Sequence, residues 1–516
     1  MWQYLHPLAY MGVLLSAAVY FYLRERQHGA GFVKRTFWGS SLIYLLSLFF
    51  EEGGLLYGLF GILTPDIAYL AAIILILNRF APRPKVFYFT IFAILAGIKL
   101  FFINPTIESL WLGSQAAQAE QTIQLDPTAE LLLDIKKHDD LARLQPIISR
   151  YDLKLTLAFP EIAHPERTQL DDYYTVDVPE KYIPQLQEIK DALMASGFVD
   201  DVEPNEVIQV SPLMPPSAQR PGKPNYGIND PGLEHQWGFE AMQAAEFFAQ
   251  IREKNIKPKK VAKIAILDTG VEADHEDISA NFFSVDAKND YDKLGHGTHC
   301  AGIAAAVSNN GKGIASFAPD ETFVRVTSIK VLSDNGYGTQ KGVLDGIIKA
   351  ADSQVDVISM SLGGPSNQER QRAYDQAFDY ARKAGAIAVV AAGNSNTDAD
   401  RFSPANSEGV IAVAAIDPEN NRASFSNKVG MLKMGVAAPG VNIYSTFPKG
   451  EYKFLNGTSM ATPYVAGLLG IMKAIQPELT TEVAFDLLQK TGKDTNQPTE
   501  TGKLIQAGRL LEAMTQ

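Results

Sequence analysis

The apolar positions change their spacing twice along the chain. Over residues 1–105 they form long runs at 7–23, 37–50, 67–77 and 86–103. A helix crossing a bilayer needs roughly 17–25 mostly apolar residues. The first and last runs meet that length alone. The middle two must borrow from the segment that carries Glu51, Glu52 and Asp66. Four spanning helices are therefore expected, with anchoring as their default role. Arg24, Arg26, Lys34 and Arg35 lie between the first two runs, and Arg79, Arg83 and Lys85 between the last two. Basic loops stay in the cytoplasm, so everything after Ile103 is expected on the extracytoplasmic side, periplasmic or extracellular, of a cell membrane. A cleaved signal peptide fits less well, because no basic region precedes the first run.

Residues 125–211 read as soluble, with shorter elements. Strand patterns at 128–136, 153–159, 172–179 and 199–210 alternate with helical patterns at 139–151 and 180–196. The order β-α-β-β-α-β is the split βαβ arrangement of a small ferredoxin-like α+β domain. Residues 212–225 are rich in Pro and Gly and read as a linker.

From 226 to 516 a third pattern takes over. Apolar stretches at 261–267, 327–332, 355–362, 386–392 and 410–416 lack polar alternation, as strands covered on both faces do. Helical patterns at 339–351 and 368–385 lie between them. The expectation is an α/β domain built on a doubly wound, mostly parallel sheet, whose sites gather beyond the carboxyl ends of the strands.

Composition narrows the function. A formal net charge of -12, with no basic patch interleaved with aromatics, argues against nucleic acid as a partner. The single cysteine, Cys300, excludes an internal disulfide.

The candidate chemistry sits in the third region. Asp268 ends a strand pattern in IAILDTG. An aspartic protease would need a second D-[ST]-G, and the chain has none. GHGTHCAG (295–302) holds His296, His299 and Cys300; a zinc site would need further ligands close in sequence, and none is apparent. In NGTSMATPYVAG, Ser459 stands at the entry of a small-residue helix, with Pro463 expected in its first turn. Asp, His and Ser in this chain order are one of the known orders of a catalytic triad.

The segments ILDTGV, GHGTHCAG and NGTSMATPYVAG resemble the three signature motifs of the subtilisin-like serine proteases (subtilases), over roughly 225–510. The resemblance implies a serine endopeptidase with Ser459 as nucleophile, His296 as base just ahead of its helix and Asp268 as the orienting carboxylate. It also implies Asn394, in AAGNSN, as an oxyanion donor, and Ser361, Leu362, Gly363 and Gly364 as a strand that pairs with the substrate backbone. His299 would be packed inside the helix. Asp230, Asp277 and the loop at Asn309 match positions that hold structural calcium in many members. No cofactor is required for the chemistry. The segment 395–408 gives no ground for strict substrate selectivity. The 125–211 domain resembles the family's propeptides, which implies a zymogen with self-cleavage in the linker. The implied partners are a peptide or protein substrate, the membrane and the chain's own propeptide domain.

Overall fold

A computed structural model describes residues 124–210, 226–365 and 368–515. The spans expected over 1–105 and the linker at 212–225 lie outside the described residues. Among the described residues no helix is long and apolar enough to cross a membrane. Residues 122–516 form one compact unit.

The N-terminal part of that unit consists of β1 (Leu131–Ile135), α1 (Gln145–Tyr151), β2 (Lys154–Leu157), β3 (Tyr173–Asp177), α2 (Leu186–Ala195) and β4 (Val199–Pro204). The strands form an antiparallel sheet in the order β2-β3-β1-β4. α1 is shorter than the pattern at 139–151 predicts. His138–Leu144 is a 3-10 helix, and the α-helix begins only at Gln145, with Pro146 in its first turn. Proline has no N–H to continue a preceding helix but suits the opening of a new one.

β1 explains its own lack of alternation. Leu131 and Leu133 pack in the core of this small module, while Leu132 joins a second core shared with the larger domain. The fourth strand expected over 199–210 is in fact two. β4 ends at Pro204, and β5 (Val207–Gln209) leaves the sheet to pair elsewhere.

The larger domain is wound on a sheet of eight strands. β6 (Ala262–Asp268), β7 (Val324–Lys330), β9 (Val357–Met360), β10 (Ile387–Ala391), β11 (Val410–Ile416) and β12 (Gly435–Pro439) are joined by parallel pairing. β13 (Lys493–Asp494) and β14 (Lys503–Leu504) complete an edge, giving the order β13-β14-β12-β11-β10-β9-β6-β7. A short strand β8 (Tyr337–Thr339) stands apart and pairs antiparallel with β5.

Alternate side chains of β6 serve the two faces. Ile264 and Ile266 pack with the helices His296–Ala305 and Thr458–Ile475 on one side. Ala265 and Leu267 pack with Gln340–Asp352 and Gln368–Lys383 on the other, and that core also takes in Leu132, Tyr173 and Ile208 of the small module. From β6 the chain first moves outward to β7, then returns to β9 on the opposite side and continues through β12. The winding reverses between β6 and β9, and a crevice opens there at the carboxyl ends. Asp268 closes β6 and Ser361 follows β9.

β12 and the hairpin Ile443–Phe447/Glu451–Leu455 were not expected from the sequence. GVAAP carries one β-branched residue in five, so its burial between β11 and β14 decides its conformation rather than its propensity.

Candidate active site

Three chain segments converge at the reversal point. Asp268 and His296 are buried, and His296 Nδ1 lies 2.8 Å from Asp268 Oδ1. The same oxygen accepts the Thr269 N–H at 2.7 Å. His296 is the first residue of its helix rather than the residue ahead of it. Its position depends on two glycines. Gly295 takes φ +94, and a Cβ there would meet the Phe447 ring at 2.3 Å. A Cβ on Gly297 would lie 2.1 Å from the Gly270 carbonyl oxygen and 3.0 Å from Asp268 Cβ, prising the pair apart.

Asp292 anchors this helix and was missed in the sequence. Its Oδ2 accepts the Thr298 N–H and hydroxyl, both at 2.9 Å, and its Oδ1 accepts the Gly295 N–H at 2.9 Å. A carboxylate here satisfies donors that a helix start leaves open and complements its dipole. An acid four residues before the histidine was the available signal.

Ser459 is the second residue of Thr458–Ile475, every residue of which is buried. Pro463 is the sixth residue of that helix, not part of its first turn. Because proline lacks an N–H, the Ser459 carbonyl loses its helical partner. Ser361 Oγ donates to it instead at 2.8 Å, and Cys300 Sγ approaches at 3.4 Å. Ser361 and Cys300 thus hold the backbone of Ser459 in place. The Ser459 hydroxyl donates to the Ser361 carbonyl at 3.2 Å, while His296 Nε2 is buried with no hydrogen-bond partner. No hydrogen bond joins the Ser459 hydroxyl to His296 Nε2 in this rotamer.

Asn394 has a fixed amide orientation. Its Oδ1 accepts both the N–H and the hydroxyl of Thr458, each at 2.9 Å. That turns Nδ2 toward Gly457, where a Cβ would lie 3.4 Å from it. The same Cβ would lie 3.6 Å from the Ser459 backbone nitrogen, so Nδ2 and the Ser459 N–H lie close to one point.

The zinc reading of GHGTHCAG has a simple outcome. Asp268, His296 and Cys300 are the one close group of potential ligand atoms among the described residues, lying within 4.8 Å of one another. Zinc sites of the closed kind take four ligands. Burial pushes the Cys300 thiol well above its usual range, away from the thiolate a metal would need. His299 lies inside the helix, its Nε2 donating toward the carbonyls of Ile443 and Lys453 at 3.1 and 3.0 Å. Its burial lowers its pKa to about 3, as a neutral, packed ring requires. For His296, burial works against the charged form, but the Asp268 carboxylate outweighs it and the net shift is upward.

Asp230, Asp277 and the loop at Asn309 do come together, but in an arrangement that does not fit calcium. Asp230 accepts the backbone N–H groups of Asn309 (2.7 Å) and Asn310 (3.1 Å). Asp277 accepts the Asn310 side-chain amide at 2.8 Å and the Ile314 N–H at 2.7 Å. Calcium requires six to eight oxygens facing one centre; here N–H groups point at each carboxylate oxygen, and Asn309 contributes its backbone N–H. Burial raises both acids, Asp277 to about 7.

The predicted substrate strand is already paired in part. β5 runs antiparallel to β8, Val210 N–H donates to the Gly336 carbonyl at 2.9 Å, and Gln209 bridges to Gly363. The small module's chain thus lies between Gly336–Thr339 and Gly363, with Ile208 buried. Gly364 itself pairs with Ser403. The module also covers the start of the helix Gln340–Asp352: the Gln340 N–H donates to the Glu206 carbonyl at 2.8 Å and the Lys341 N–H to Asn205 Oδ1 at 3.0 Å.

A doubly wound parallel sheet with these segments at its reversal point defines a serine endopeptidase of the subtilisin-like class. The chain belongs to the subtilase family: that family's sequence model matches residues 259–504. Thermitase of Thermoactinomyces vulgaris is 41% identical over 253 residues, which cover 48% of this chain and 85% of that protein. Subtilisin DY of Bacillus licheniformis is 41% identical over 248 residues, covering 47% of this chain and 87% of the relative.

Proposed function

We propose that the chain is the zymogen of a membrane-anchored serine endopeptidase whose nucleophile is Ser459. His296 takes the hydroxyl proton through Nε2 as Ser459 attacks the peptide carbonyl, then returns it to the leaving amine. Asp268 holds the imidazole with Nδ1 protonated and stabilises the imidazolium. Asn394 Nδ2 and the Ser459 N–H receive the developing oxyanion, and the acyl-enzyme is then released by water. The observation that carries the reading is the buried 2.8 Å Asp268–His296 contact beside a serine at a helix start.

Since the base must be neutral, its raised pKa fixes the acid limb of the activity. The kcat/KM profile is expected to fall, as pH drops, through a midpoint above the ordinary histidine value of about 6.5. A midpoint below it contradicts the assignment of His296 paired with an ionised Asp268.

The 125–211 domain would act as inhibitor and folding partner. β5 lies in the cleft as a substrate strand would, using main-chain hydrogen bonds. Separation requires a cut in the linker, proposed as self-cleavage. Ile208→Glu buries a charge at the seat of this strand, which costs several kcal/mol unless it pairs. The initial hydrolysis rate of a chromogenic peptide by the full chain is then expected to rise by at least about tenfold. An unchanged rate removes β5 as the inhibitory element.

Membrane anchoring rests on the apolar runs of 1–105 and their flanking basic residues, which would place the catalytic domain on the extracytoplasmic side. Alkaline carbonate extraction of membranes tests it: the uncut chain should stay in the pellet, and its appearance in the wash would refute the anchor.

A further inference from the structure

Resting on the endopeptidase reading, we propose that Thr269 and Asp292 are positioning residues of the triad. The Thr269 hydroxyl clasps the segment that carries Asp268 to the helix that carries His296, and Asp292 holds the clasp shut. Thr269 directly follows Asp268, and Gly297 directly follows His296. The Gly297 N–H donates to Thr269 Oγ1 at 3.0 Å, and that hydroxyl donates its own proton to Asp292 Oδ1, also at 3.0 Å. The clasp therefore joins the two neighbours of the pair and fixes the approach of Asp268 to His296 from the backbone side.

Thr269 has no polar group to spare. Its N–H donates to Asp268 Oδ1 at 2.7 Å, and Lys330 Nζ, at the end of β7, donates to its carbonyl. The residue is fully buried. The next one, Gly270, takes φ +115, and a Cβ there would lie 1.9 Å from the Tyr291 carbonyl oxygen. The two backbones thus touch immediately beside the Thr269–Asp292 bond, which leaves neither segment room to slide past the other.

The surroundings of Asp292 call for a carboxylate. Its Oδ1 accepts from the Thr269 hydroxyl and from the N–H groups of Leu294 (3.1 Å) and Gly295 (2.9 Å). Its Oδ2 accepts from the N–H and hydroxyl of Thr298. All of these partners are donors. An ionised carboxylate only accepts, whereas either orientation of an amide would set its NH2 against donors. The Thr298 hydroxyl in turn accepts the Glu272 N–H at 3.0 Å, a second tie between the helix and the chain that follows Asp268. The Asp292 charge also reaches the imidazole. Burial disfavours the charged ring, and Asp268 and then Asp292 favour it, while His299 and Cys300 in the same helix are held neutral.

The test is steady-state hydrolysis of a chromogenic peptide by the purified full chain. Thr269→Val keeps the shape of the side chain and removes both hydroxyl bonds. It should lower kcat by about 100-fold, the scale of a misplacement of about 1 Å, with KM changed by no more than a few-fold. Thr269→Ser should keep kcat within a few-fold of wild type. Joined to Asp268→Asn, Thr269→Val should cost only a few-fold more, because the clasp acts through the pair. Asp292→Asn should lower kcat likewise and move the acid midpoint of kcat/KM downward, since a charge that favours the imidazolium is gone. A wild-type kcat in Thr269→Val, an equal loss in Thr269→Ser, a full loss multiplied onto Asp268→Asn, or an unmoved midpoint in Asp292→Asn overturns the proposal. Loss of fold in Thr269→Val, read from the thermal midpoint, overturns it too; should Asp292→Asn alone not fold, the Thr269 series decides. A wild-type chain that hydrolyses no peptide and fails to react with a fluorophosphonate would instead refute the endopeptidase reading.

Discussion

Replacing Ser459 by alanine is expected to lower kcat by about 10⁶, the scale on which triad enzymes lose a nucleophile, and to leave the linker uncut. The substitution removes one oxygen from a site whose backbone is held independently. The Ser459 carbonyl keeps its contacts from Ser361 Oγ and Cys300 Sγ, and the helix behind it is buried along its whole length. Loss of activity would therefore come without loss of fold, and an unchanged thermal midpoint checks that. The residual rate reports what Asn394 and the helix start contribute by binding the oxyanion around a direct attack by water. Steady-state kinetics of Ser459→Ala at saturating peptide decide the matter: retention of more than a small fraction of kcat would mean another group attacks the carbonyl.

Asp268→Asn carries the second largest effect, a fall in kcat of about 10⁴. The carboxylate oxygen that faces His296 Nδ1 at 2.8 Å is an acceptor, and it can face only a protonated Nδ1. An amide in its place offers N–H to that nitrogen, which moves the ring proton to Nε2 and leaves no lone pair to receive the serine proton. It also withdraws the negative charge that keeps the imidazolium stable in a fully buried setting. Because the three groups act as a unit, the loss does not add to that of the serine. The double variant Asp268→Asn/Ser459→Ala is expected to match Ser459→Ala alone within a few-fold. Additive losses in kcat would show that the two residues work separately.

The proposed site was legible in the sequence where a residue type is itself the signal. Asp268, His296, Ser459 and Asn394 stand in the motifs that carry the family resemblance, and the fold brings these segments to the reversal between β6 and β9. What could not be read depends on distant partners. Ser361 and Cys300 serve the Ser459 carbonyl only because Pro463, four residues further on, withholds its N–H, and nothing local in 300 or 361 reveals that. β5 continued the apolar pattern of β4, but Pro204 ends that strand and frees the chain to pair with β8. The calcium expectation rested on Asp230, Asp277 and Asn309 lying together. They do, but with N–H donors aimed at the carboxylates.

The central claim, that His296 makes Ser459 a nucleophile, is tested most directly by the site and rate of a covalent adduct. Full chain treated with a fluorophosphonate, digested and mapped by mass spectrometry is predicted to carry the phosphonyl group on Ser459, and His296→Ala is predicted to lose that labelling. An adduct on another serine, or one that forms on Ser459 at the same rate without the imidazole, would contradict the account.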